Sequence, residues 1–274
     1  SSFALSYAGE AGETGSMWNV WLDGTYILNR DSRTAFGQNG ETINLGAGAS
    51  YQVTPNTTAG LTAQFARTDR EGVTGSTKSN AWTIAAFLQT ITKSNIVLES
   101  AFSFTAANLD LTFINGGGTT SGTTDARSMA AQFKASKTFS LSSWWIRPNA
   151  SISLVHFRRD AFTASDGSQS SANSSTQITA IGGSTIGTTY LLADGKVIAS
   201  PNFTISAHAN LGEFDKFLGA DANLAQNNRF GLTANMGLDL EFGTGRLALG
   251  AGAHGITNAQ KNYSFSANLN LPLN

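Results

Sequence analysis

The stretch Arg229-Phe230-Gly231-Leu232-Thr233-Ala234-Asn235-Met236-Gly237-Leu238-Asp239-Leu240-Glu241-Phe242 alternates without a slip. Phe230, Leu232, Ala234, Met236, Leu238, Leu240 and Phe242 share one face of an extended chain; Arg229, Gly231, Thr233, Asn235, Gly237, Asp239 and Glu241 share the other. A period of two with chemically distinct faces marks a strand whose sides meet different surroundings. One such strand suits any half-buried sheet, so its recurrence decides the fold.

It recurs along the chain. Trp18, Val20, Leu22, Gly24, Tyr26 and Leu28 oppose Asn19, Trp21, Asp23 and Thr25, and Ile43, Leu45, Ala47, Ala49, Tyr51 and Val53 oppose Thr42, Asn44, Gly46, Gly48, Ser50 and Gln52. Tyr263, Phe265, Ala267, Leu269, Leu271 and Leu273 oppose Ser264, Ser266, Asn268 and Asn270. About twelve such segments begin near Met17, Thr42, Thr57, Asn80, Asn95, Arg127, Trp144, Gln177, Val197, Arg229, Gly245 and Asn262, an even number that suits a closed antiparallel barrel.

The connections alternate as well. After the even segments the links are tight and rich in turn residues: Thr54-Pro55-Asn56, Thr92-Lys93-Ser94, Ser140 to Ser143, Ala193-Asp194-Gly195 and Gly243-Thr244-Gly245. After the odd ones they read as long and polar: Asn29–Glu41, Thr68–Ser79, Asn108–Asp125, Arg158–Ser175 and Gly212–Asn228. Only Thr257-Asn258-Ala259-Gln260 is short on the long-loop side. Tight turns at one end and long loops at the other are the habit of outer-membrane barrels. Trp18, Tyr51, Phe139 and Trp144 toward the short-turn end, with Tyr26, Phe65, Trp82 and Tyr263 toward the other, match two interfacial aromatic girdles. Pro148 and Pro201 fall inside strand segments, where each predicts a local bulge.

Composition agrees. Seventeen Lys and Arg against 18 Asp and Glu make 13% charged residues and a net charge of −1, against about 25% in ordinary soluble domains. That balance excludes a basic face for nucleic acid. No stretch approaches the ~20 apolar residues of a spanning helix, and Ser1–Ser16 has no basic region followed by an apolar one. The chain has no Cys, so disulfides and thiolate metal sites are excluded. His156, His208 and His254 lack metal-ligand spacing, and no Gly-x-Ser-x-Gly elbow occurs, so no metal, cofactor or catalytic residue is expected.

Twelve strands ~4.8 Å apart and tilted ~40° give a wall about 24 Å across, leaving about 10–14 Å inside the side chains. One α-helix has a diameter of ~10–12 Å. Inward parity collects small polar residues such as Gly46, Gly48, Ser103, Thr105, Asn202 and Gly250, which leave room in the lumen. The charged residues of inward parity are Asp23, Glu99, Lys134, Arg147, Asp239, Glu241 and Arg246. They suit a wet interior, where they pair or contact a lumenal segment, because a basic residue at the lipid midplane costs ~2–4 kcal/mol.

Several stretches together resemble the translocator domain of type V autotransporters: Trp18-Asn19-Val20-Trp21-Leu22-Asp23-Gly24-Thr25-Tyr26, Gly46–Tyr51 followed by Gly60-Leu61-Thr62, Ile146-Arg147-Pro148-Asn149-Ala150, and the Gly-rich final hairpins. The resemblance covers Met17 to Asn274. It implies an all-β, 12-stranded transmembrane barrel over 17–274 in the bacterial outer membrane, a monomer that is not an enzyme. It also implies an N-terminal passenger carried to the cell surface, a linker helix left in the pore, and partners in the barrel-assembly machinery and outer-membrane lipids. Residues 1–16 then read as a remnant of the linker, although Gly9, Gly12 and Gly15 give it little helical periodicity. Members usually end on an aromatic residue; this chain ends Leu271-Pro272-Leu273-Asn274, which shifts recognition to Phe265, Leu271 and Leu273. In some members lumenal acids assist cleavage at a linker Asn. Ser1–Ser16 contains no Asn, so that chemistry is not assigned; Glu99, Asp239 and Glu241 are the acids that would position it. A diffusion channel is the other reading of a polar-lined barrel.

Overall fold

The computed structural model describes residues 17–31, 38–115, 118–193, 195–211, 230–243, 245–258 and 260–273. Its long strands are β1 (Trp18–Asp31), β2 (Gln38–Thr54), β3 (Thr57–Gly72), β4 (Gly75–Ile91), β5 (Ile96–Asn115) and β6 (Gly118–Lys137). β7 (Trp144–Arg159), β8 (Asn173–Thr188), β9 (Val197–Asn210), β10 (Phe230–Phe242), β11 (Gly245–His254) and β12 (Gln260–Leu273) complete the set. Each pairs antiparallel with its neighbour in the chain, and β1 pairs with β12 from Trp18↔Leu273 to Asp31↔Gln260. The result is a closed 12-stranded barrel, as the alternation implied. The linker segment 1–16 and Arg229 lie outside the described residues.

The wall is inside out relative to a soluble protein. Large apolar side chains of outward parity are exposed, with Leu22, Leu61 and Phe133 above 60%. The buried groups are mostly inward Thr, Ser, Gln and Asn, such as Thr62, Thr83, Gln89 and Ser103. Hydroxyl pairs inside the wall link neighbouring strands: Thr83 with Thr105 at 2.8 Å and Thr185 with Thr204 at 2.7 Å. An apolar belt of this extent far exceeds the few hundred Å² a soluble monomer exposes, so lipid is its solvent.

The expected long loops are in part strand. β3 and β4 run to a tight turn at Val73-Thr74, and β5 and β6 continue to residues 115 and 118, each 20 residues long. A spanning strand needs only ~9–11 residues, so about half of each stands in water. On β3 and β4 both faces are polar there, as in the cross-strand pair Asp69↔Lys78, and hydrophobic alternation stops although the ladder does not. On β5, Leu109, Leu111 and Phe113 still alternate with Asp110 and Thr112, but with the apolar residues on the inward parity. Beyond β7, short strands Phe162–Thr163 and Gln169–Ser170 form a hairpin against this extension. Phe162 covers Gly122 and stacks on Phe113 at 6.3 Å, and the Ser165 amide donates to the Ser121 carbonyl at 2.7 Å.

The prolines also depart from expectation. Neither shifts the register; the one shift near a turn lies at Gln52/Thr54. Pro148 faces an interruption in the ladder, between Ser136↔Asn149 and the short strand Phe139–Leu141, which resumes at Phe139↔Ile146. Pro201 likewise sits between Gly187↔Asn202 and Tyr190↔Ala199. A residue without an N–H is accommodated by leaving one rung unmade, with no extra residue inserted.

Candidate functional site

The lumen is built from side chains laid over glycines. On β1 and β4, Trp21 and Phe87 lie against Gly48 of β2 and Gly60 of β3 respectively, so that a Cβ on either glycine would fall about 2.2–2.3 Å from ring carbon. The two rings meet at 5.7 Å between centroids. Trp145 covers Gly187 in the same way, and the Asp23 carboxylate covers Gly46. Glycine here supplies depth for a neighbour's side chain.

Four of the seven predicted charged residues form two ion pairs. Lys134 of β6 meets Glu99 of β5 at 2.6 Å, and Arg246 of β11 meets Asp239 of β10 at 3.1 Å, with Asn202 Nδ2 donating to Asp239 at 3.1 Å. Glu99, Lys134 and Asp239 line one cavity of about 450 Å³, with Gln132 beside the first pair and Thr204 and Gly250 beside Asp239, while Arg246 holds Asp239 from outside the lining. β5 and β6 lie across the barrel from β10 and β11, so the pairs face one another over the lumen toward the short-turn end. Arg147 stands apart, its Nε donating to Thr138 Oγ1 at 3.0 Å and its guanidinium 5.1 Å above the Trp145 ring. Glu241 is exposed near the rim opposite Arg246 in the ladder, and Asp23 belongs to the wall between β1 and β2.

Two inward arginines escaped the sequence reading. Arg70 packs over Gly40, and Arg159 donates to Ser170 Oγ at 2.9 Å and stacks on Phe162. Both lie past the strand ends that hydrophobic alternation marks; parity continued into the polar extensions is the signal that finds them. His254 shares a 3.2 Å hydrogen bond with Ser264, and His208 lies over Gly231. Among the described residues no trio of His, Asp and Glu is placed to hold a metal ion.

A closed wall, apolar outside and polar within, defines an outer-membrane β-barrel protein. The sequence profile described as "Autotransporter beta-domain" matches residues 20–270, and the chain belongs to that family. It is similar in fold to the translocator domain of the autotransporter NalP from Neisseria meningitidis: TM-score 0.78, 14% identity, covering 93% of this chain and 88% of that one. The β domain of the Bordetella autotransporter BrkA gives 0.78 at 14% identity over 94% and 100%. The transport unit of AIDA-I from Escherichia coli gives 0.63 at 9% over 97% and 93%. No curated protein matches in sequence. Family membership makes the chain a translocator of the bacterial outer membrane, with an attached passenger whose secretion it serves.

Proposed function

We propose that the lumen serves passenger transport by holding the linker as one helix or extended strand between the two ion-paired walls. The observation that carries this is the opposition of the Glu99–Lys134 pair and Asp239, itself paired with Arg246, across a single cavity of about 450 Å³. Paired charges present donors and acceptors to a passing backbone at low net charge, and so grip a peptide without binding one sequence. Asp23, Arg147 and Glu241 extend the polar track along the wall. The barrel itself carries out no chemical step. The outward residues of β12, among them Phe265, Leu271 and Leu273, form the face offered to the barrel-assembly machinery.

The chain has no Cys, so an engineered cysteine in the barrel meets no competing thiol there. The test places Gln132→Cys in the barrel of the full precursor and walks a second cysteine through the linker. Oxidation in intact outer membranes is expected to link Gln132→Cys to linker positions on one face, with the passenger open to external protease. Absence of a cross-link at every linker position, with the passenger exported normally, refutes lumenal occupancy.

A further inference from the structure

The outward faces of β6 and β7 change character abruptly. On β7 the apolar series ends at Ile152 and Leu154 and is followed by His156 and Arg158; on β6 Phe133 and Met129 are followed by Arg127. From Trp144 to Leu154 the strand climbs about 26 Å at ~3.4 Å per residue and ~40° tilt, which matches the ~25 Å apolar band of outer-membrane barrels. Arg127, His156 and Arg158 therefore stand where the hydrocarbon of the outer leaflet gives way to headgroups.

The register makes this placement costly for the protein alone. Arg127 is directly opposite Arg158, and Met129 opposite His156. Like charges facing each other on one side of an antiparallel pair destabilise it. Arg158 has Asp160 at 3.6 Å, whereas Arg127 has no hydrogen-bonding or ionic partner among the described residues. Asp125, the acid on the same face as Arg127, already accepts from Asn108. Both acids lie one step farther from the bilayer than the arginines. His156 engages Thr176 through Nδ1 at 2.9 Å, so its other ring nitrogen remains available.

We propose that Arg127, Arg158 and His156 bind a phosphate group of an outer-leaflet glycolipid. Two guanidinium forks on one face match the oxygens of a phosphate, and an anion between them turns a repulsive pair into a bridge. The apolar surface of Met129 and Leu154 directly below would receive the acyl chains of the same molecule. This site faces lipid and is independent of what occupies the lumen.

The test uses the whole chain folded in neutral detergent and titrated with bisphosphorylated lipid A, read by native mass spectrometry. Parallel titrations use dephosphorylated lipid A of the same acyl pattern, phosphatidylglycerol and inorganic phosphate. The phosphorylated lipid is expected to bind at least tenfold more tightly than its dephosphorylated form. The double variant R127Q/R158Q is expected to lose that preference while migrating as a folded barrel on semi-native gels. In detergent alone its thermal midpoint should be no lower than the parent's, because a like-charge contact has gone. R127K/R158K keeps the charges without the forks and should fall between the two. Binding of dephosphorylated lipid A or phosphatidylglycerol within twofold of the phosphorylated lipid overturns the site, as does a preference retained by R127Q/R158Q. Competition by millimolar inorganic phosphate overturns its assignment to a lipid.

Discussion

Trp21 and Phe87 touch inside the lumen although their strands, β1 and β4, do not pair with each other. Contact across the two intervening strands is possible only because Gly48 and Gly60 leave the wall bare beneath the rings. Adding a methyl there moves an aromatic ring or the backbone. Gly48→Ala and Gly60→Ala should each cost about 1–3 kcal/mol, the usual cost of overpacking. Gly182→Ala, where a Cβ would meet nothing within 4 Å, should change little. Urea unfolding from lipid vesicles followed by tryptophan emission measures all three.

The ion pairs predict a coupling. Lys134→Gln leaves the Glu99 carboxylate, only 11% exposed, without its partner, and should destabilise the barrel by about 1–2 kcal/mol after screening by lumenal water. Adding Glu99→Gln should recover part of that loss. The same double-mutant cycle on Lys78–Asp69, 3.8 Å apart and well exposed, should give about 0–1 kcal/mol. Equal coupling energies for the two pairs would contradict the distinction drawn between lumen and surface.

Parity predicts a directional response to charge. Phe133 and Gln132 are adjacent in β6, yet the first faces lipid and the second the cavity. Phe133 is opposite Ile152, above the middle of the Trp144–Leu154 span, so Phe133→Arg should cost about 1–2 kcal/mol in vesicles, below the ~2–4 kcal/mol of a midplane arginine, whereas Gln132→Arg should remain near neutral. Folding yield by heat-modifiable gel mobility separates the two outcomes.

The hairpin outside the membrane has its own pH dependence. The side chain and backbone of Ser168, followed by Thr120, donate to Asp166 and hold its carboxyl below the ordinary carboxylate value of 3.8. A lowered folded value means that the contribution to docking is complete above about 3.8 and is lost as the pH falls below it. The protection of the Ser165 and Ser168 amides against hydrogen exchange, taken relative to the intrinsic rate at each pH, should fall below that pH, and Asp166→Asn should lower it at neutral pH as well.

What was legible followed the solvent. Where one face meets lipid, as in Phe230–Phe242, the alternation located the strand and the side of each charged residue. Where both faces meet water, as at Asp69 and Lys78, the backbone ladder continues with no apolar mark, and at Leu109, Leu111 and Phe113 the apolar residues change to inward parity. The expected strands therefore stop short of the observed ends of β3 to β7 and leave out Arg70 and Arg159. Pairing between Glu99 and Lys134 depends on the register of β5 against β6, which parity alone does not fix. The Trp21–Phe87 contact depends on glycines in two other strands, information that no single segment contains.

The seam between β1 and β12 puts a clock into the architecture. Trp18 is opposite Leu273, and Gln260 donates to Asp31 from 229 positions away. Every shorter chain has two raw sheet edges, so the wall cannot be sealed until its final strand has been synthesised. Contacts so distant in sequence close slowly. The wall therefore becomes a barrier only at the end of its own assembly.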